Sequence, residues 1–224
     1  MKTAIVTGIE PFGPYRFNPT AWLAEQVHGK VISGYKIHSI VLPSEVRPSE
    51  GGVDHGETIV RKAQEIGADV IISLGIASEV RGFRIECQGT NWAYNEKYLP
   101  KSENDRPLDM ARPEKEVLKM DLRPWNVRFL KRQFEKAGLP LERKISDDAG
   151  KYSCNSIIYR TLLAKKRRGL KTPFLFVHVS CTPETVRQIK GFDERKHLNK
   201  KEDLLTALEI ILRLSNPQST GTYS

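Results

Sequence analysis

A thiol, an imidazole and a carboxylate stand close to the ends of three apolar runs in this chain. Cys154 closes the loop DDAGKYSC, His178 sits near the end of PFLFVHV, and Glu86 lies in the IEC that follows DVIISLG. In an open α/β sheet, function collects at the carboxyl ends of the strands, so three such loops could bring these side chains together. That is the set of groups a cysteine hydrolase needs. A thiolate, not a thiol, attacks a carbonyl, and an unperturbed cysteine with a pKa of about 8.5 is only a few per cent ionised at pH 7. A helix N-terminus at Cys154 would contribute roughly 0.3 to 1 kcal/mol, under one pKa unit. A histidine has to supply most of the activation, and a carboxylate on its far nitrogen would fix the tautomer.

Each residue also has a plainer reading. Cys154, Ile157, Ile158, Thr161 and Leu162 fall on one helical face, which suits an inert core thiol. His178 alternates with Val177 and Val179 and suits a hydrogen-bonded core histidine. Glu86 could pair with Arg81 or Arg84.

The elements that would position these groups alternate. KTAIVTG reads as a buried strand ending in glycine. Asn18-Pro19 is a strong helix start, with Leu23 and Val27 four apart on one face. A second strand is expected at Tyr35 to Leu42, then a helix through Ile59, Ala63 and Ile66 that stops at Gly67, then the strand DVIISLG. Gly82 to about Asn126 has little periodicity and reads as one or two short strands and a long excursion. Beyond it the pattern predicts a helix over Trp125 to Gly138, a strand end at Lys144 to Ser146, a helix over Tyr152 to Leu163, a buried strand over Pro173 to Val179, and a final helix over Asp203 to Leu214. This order implies an α/β class, a single-domain three-layer α/β/α unit around a mostly parallel twisted sheet. The domain is expected over residues 1–214, with a disordered tail over 215–224.

The chain has 224 residues, 39% hydrophobic and 28% charged, with no apolar run of membrane-spanning length. The N-terminus lacks the apolar core of a signal peptide, which places the protein in the cytoplasm as an expectation. Three dispersed cysteines, Cys87, Cys154 and Cys181, give neither a disulfide framework nor a zinc site. The net charge of +9 admits an acidic partner. However, the densest basic run, Lys165 to Arg168, precedes Gly169, where cations complement a helix C-terminus, so no nucleic-acid partner is expected.

Taken together, VTGIEPFG with Asn18-Pro19-Thr20, LGIA at Leu74 to Ala77, Glu86 with Asn91, DAGKYSCN and FVHV resemble the pyroglutamyl peptidase I family, cytoplasmic cysteine exopeptidases that remove an N-terminal pyroglutamate. The resemblance runs in order from Ile5 to His178. It implies a phosphorylase/hydrolase-like fold, a Cys154 nucleophile, a His178 base and a Glu86 orienting partner. It further implies an N-terminally blocked peptide as substrate, no metal or cofactor, no membrane partner, and a homo-oligomer such as a dimer or tetramer. Substrate contacts carry over to Phe12, Ile9, Ser44, Tyr152, Ser153 and Asn18. Several positions depart from the family. Ile9 stands where a second ring-stacking phenylalanine is usual, and Ser153 where an apolar residue lines the pocket. Ser78-Glu79-Val80 replaces a Gly-Arg pair, Cys87 replaces the arginine after the glutamate, and Tyr98 replaces an arginine before Leu99-Pro100. These departures also admit a related hydrolase acting on another lactam or small acyl amide, and the charge admits a catalytically silent basic binding protein.

Overall fold

The computed structural model describes residues 1–47, 54–187 and 198–215. In chain order the elements are β1 (Lys2–Ile9), α1 (Pro19–Val27), β2 (Val31–Ile32), β3 (Tyr35–Leu42), α2 (His55–Glu65), β4 (Val70–Ile76), β5 (Phe83–Glu86), β6 (Gln88–Thr90) and β7 (Val117–Lys119). They continue with α3 (Val127–Lys136), α4 (Ser153–Arg168), β8 (Phe174–Val179), α5 (Pro183–Val186) and α6 (Lys201–Leu214). The main sheet has the order β2-β3-β1-β4-β8-β5. The four central strands are mutually parallel, and β2 and β5 are antiparallel edges.

Strand pleating sorts the side chains onto two faces. Ala4 and Val6 of β1, Ile72 and Leu74 of β4, Val177 and Val179 of β8 and Ile85 of β5 pack with Leu23 of α1, Phe134 of α3 and Leu208 of α6. Ile5, Ile71, Phe174 and Phe176 pack with Ile59 of α2 and with Cys154, Ile157 and Ile158 of α4. Helices therefore cover both faces, and each fully buried aliphatic side chain contributes about 1.5 to 3 kcal/mol. Asn18 caps α1, its side chain accepting from the Thr20 amide, with Pro19 in the first turn. α4 runs five residues past the expected Leu163 to Arg168 and stops on Gly169 at φ +64°, the stop that the basic run before the glycine implied. Three of the four basic residues before it are paired within the chain: Arg167 with Asp109 and Arg168 with Glu57, each at 2.7 Å, and Lys165 donates to the Thr172 carbonyl.

Three readings need amendment. The segment expected as a strand end at Lys144 to Ser146 makes only isolated bridges, Leu141 with Phe83 and Ser146 with Glu86, because a bend at residues 143–144 lifts the chain off the β5 edge between them. The region from Gly82 to Asn126 holds three short strands rather than one or two, since β6 and β7 pair with each other as a separate ribbon. Strand β1 continues through Ile9, paired with Leu42, instead of ending at Gly8. At the chain end Ser215 is buried and its hydroxyl bonds Tyr35 at 3.1 Å, while 216–224 lie outside the described residues. Among the described residues no helix is long and apolar enough to cross a membrane.

Candidate active site

The pleat explains why three distant residues meet. His178 follows Phe174 and Phe176 at intervals of two and so points to the α4 side of the sheet. On the antiparallel edge, Arg84 lies opposite His178 and Glu86 opposite Phe176, so both share that face. Glu86 Oε1 reaches diagonally to His178 Nδ1 at 2.7 Å and also accepts from Arg84 Nε at 2.8 Å. Arg84 in turn binds Glu79 at 3.1 Å. The Arg84 reading of Glu86 thus holds alongside the histidine contact. With Nδ1 engaged by the carboxylate, the other ring nitrogen is the one left for Cys154, which lies near enough for its charge to bear on the ring.

Cys154 occupies the first turn of α4, whose N-cap Tyr152 provides no side-chain cap to the free backbone amides. The first intrahelical bond runs from Ser156 N to the Tyr152 carbonyl, so the amides before it are not closed by the helix itself. Asn155 holds this turn in place. Its side chain accepts from Thr90 N and donates to the Thr90 and Trp92 carbonyls at 2.8 to 2.9 Å, tying the helix start to β6. Asn91 does the same for the excursion, gripping the Asp109 and Pro113 backbone.

Room for the sulfur comes from a glycine. Gly75 on β4 neighbours His178 on β8, and a Cβ there would lie 2.8 Å from both Cys154 Sγ and Phe176 Cζ. We expect Gly75→Ala to push the sulfur off its seat, slowing alkylation of Cys154 at least about tenfold and costing about 1 to 3 kcal/mol of stability. Wild-type alkylation kinetics together with an unchanged melting temperature would show that the strand does not set the sulfur's position.

The electrostatics follow from burial and pairing. Burial pulls the His178 imidazole down, but the charge and hydrogen bond of Cys154 and those of Glu86 outweigh it and push the ring up to about 9. Burial pushes the Glu86 carboxyl up, yet its bonds with His178 and Arg84 win and hold it below the usual carboxylate range. Burial with nearby Asp147 and Glu86 pushes the Cys87 thiol up instead. Among the described residues no cluster of His, Cys, Asp or Glu is placed to hold a metal ion.

A cavity of about 730 Å³ opens over Cys154 and His178. Of the residues predicted to touch substrate, Phe12, Tyr152 and Ser153 line it, and the Ser153 hydroxyl is buried with no hydrogen-bond partner. Ile9, Ser44 and Asn18 are not brought to it. Ile9 is fully buried under the sheet as the last residue of β1, and Asn18 spends its side chain on Thr20 and the Glu10 carbonyl. Arg84, Tyr15 and Tyr98 also line the cavity and were not read as contacts. The opposition of Arg84 to His178 follows from strand register, and the position of Tyr98 depends on long-range folding of the excursion.

A thiol at a helix start beside an imidazole that a carboxylate holds is an arrangement able to perform nucleophilic hydrolysis. Comparison with known proteins points the same way. The profile of the pyroglutamyl peptidase family matches residues 2–205. The chain is similar to the pyrrolidone-carboxylate peptidase of Thermococcus litoralis, 28% identical over 186 residues, covering 83% of this chain and 80% of that protein. It is similar to that of Bacillus cereus at 25% over 215 residues, covering 94% and 93%. Among solved structures, the Thermococcus litoralis pyrrolidone carboxyl peptidase superposes with a TM-score of 0.75 at 26% identity, over 96% of this chain and 93% of that one. A mutant pyrrolidone carboxyl peptidase from Pyrococcus furiosus gives 0.77 at 24%, over 95% and 97%, a likeness of fold. The chain belongs to the pyroglutamyl peptidase family, and is a hydrolase of the pyroglutamyl-peptidase I type.

Proposed function

We propose that this protein is a cysteine exopeptidase that hydrolyses the amide bond after an N-terminal pyroglutamyl residue, with Cys154 as nucleophile, His178 as acid and base, and Glu86 as its orienting partner. The observation that carries the reading is His178, held at 2.7 Å by a buried carboxylate, lining one cavity with a helix-start thiol whose charge bears on the ring. Cys154 reacts as the thiolate, its proton passing to His178. The sulfur attacks the pyroglutamyl carbonyl, and the free amides at the start of α4 receive the developing oxyanion. The tetrahedral species collapses as the C–N bond breaks and the imidazolium gives its proton to the leaving amine. Neutral His178 then takes a proton from water, the resulting hydroxide attacks the thioester, and pyroglutamate leaves with the thiolate–imidazolium pair restored.

The test is release of a fluorescent amine from its pyroglutamyl amide, compared with the prolyl amide, under reducing conditions. Turnover of the first and not the second is expected; equal turnover of both would contradict the substrate assignment. The pH profile carries a sign as well. His178 must be protonated to release the amine, and its pKa is raised to about 9, so turnover is expected to hold through neutral pH and fall as pH rises through about 9. That limb belongs to the coupled thiol–imidazole pair. A profile that keeps rising past pH 10 would remove the imidazolium from the mechanism.

A further inference from the structure

We propose that Tyr98, from the excursion after β6, supplies the second aromatic wall of the lactam pocket in place of the first-loop residue at position 9. The inference rests on the pyroglutamyl reading above. Position 9 cannot serve, because Ile9 is fully buried in the core cluster under β1, its amide bound to Thr20 Oγ1 at 3.0 Å, and it does not line the cavity. Tyr98 does line it, and packs with two other lining rings. Its centroid is 6.3 Å from Phe12 at 90° and 5.7 Å from Tyr152 at 42°, while Phe12 and Tyr152 are 6.0 Å apart. Three rings inclined to one another thus form one aromatic cluster in the wall of the cavity that Cys154 also lines.

Two further features fix Tyr98 in that place. Asn95 Oδ1 accepts from the amides of Lys97 and Tyr98, each at 3.0 Å, turning the chain so that the tyrosine faces the first loop. In that loop Gly13 has φ +55°, and a Cβ there would sit 2.7 Å from the Tyr98 ring, so the loop leaves space for the tyrosine where any larger residue would displace it. A flat, neutral five-membered lactam is the kind of group such rings cover, by face and edge contacts, without needing a charge.

The experiment has two arms on Tyr98→Ala and Tyr98→Phe. One measures KM and kcat on the pyroglutamyl amide. The other needs no turnover and measures how 2-pyrrolidone protects Cys154 from iodoacetamide. Tyr98→Ala should raise KM and the half-protecting pyrrolidone concentration about 2- to 12-fold with kcat little changed, on the scale of aromatic pairs, and Tyr98→Phe should restore both. A wild type that turns over, with Tyr98→Ala unchanged in both arms, overturns the inference and leaves the mechanism standing. Equal loss in Tyr98→Phe and Tyr98→Ala overturns it too, since the ring would not be what matters. A wild type without turnover but with pyrrolidone protection weakened by Tyr98→Ala sinks the reaction and keeps the site. Absence of both turnover and protection sinks the two together.

Discussion

Cys154→Ala is expected to lower kcat/KM on a pyroglutamyl amide by about 10³-fold or more, with the fold intact by circular dichroism. The nucleophile has no substitute within reach. Of the other thiols, Cys87 is pushed up in pKa and so stays protonated, and Cys181 is buried past the end of β8. Removing one sulfur atom from the packing between Gly75 and Phe176 should cost only about 1 kcal/mol, so loss of activity would not be loss of structure. Cys87→Ser and Cys181→Ala should retain turnover. Steady-state kinetics on the three variants checks this, and comparable loss in Cys181→Ala would place the nucleophile elsewhere.

His178→Ala should be nearly as damaging, about 10³-fold in kcat, and it has a second signature. Without the imidazole, Cys154 loses the group that takes its proton, and iodoacetamide alkylation at pH 7 should slow toward the rate of an ordinary thiol with a pKa of about 8.5. The fold should survive, because Glu86 keeps its 2.8 Å bond to Arg84 and does not become a lone buried charge. Glu86→Gln is expected to be milder, about 10- to 100-fold, since an amide oxygen can still accept from Nδ1 while the imidazolium loses its counter-charge. If Glu86→Gln equals His178→Ala with structure preserved, the carboxylate does more than orient.

Much of this arrangement could be read before any coordinates. The Asn18-Pro19 start, the β3 boundaries at Tyr35 and Leu42 and the Gly169 stop are local signals, and local chemistry decided them. The alternation of His178 with Val177 and Val179 is local too, and strand pleating turns it into a place on one sheet face with Phe174 and Phe176. What local chemistry does not specify is register. Whether β5 runs antiparallel, and so whether Arg84 faces His178, depends on a four-residue edge strand with no periodic signature. Ile9 looked like a loop residue because Gly8 ended the apolar run, yet pairing with Leu42 carries the strand one residue on and turns the side chain under the sheet. Tyr98 illustrates the converse, a residue in a charged, aperiodic stretch that reaches the cavity through contacts with Gly13 and Tyr152 far along the chain. Asn155 likewise carried only a motif position until its bonds to the backbone of Thr90 and Trp92 gave it a structural task.

If the pyroglutamyl group passes through a thioester on Cys154, acid quenching during turnover of an activated pyroglutamyl ester, followed by mass spectrometry of the digested protein, traps it there. One pyroglutamyl group on the peptide that contains Cys154, removed by hydroxylamine and absent from Cys154→Ala, is the predicted result. Full turnover with no such adduct, or an adduct on the peptide of Cys87 or Cys181, would contradict it.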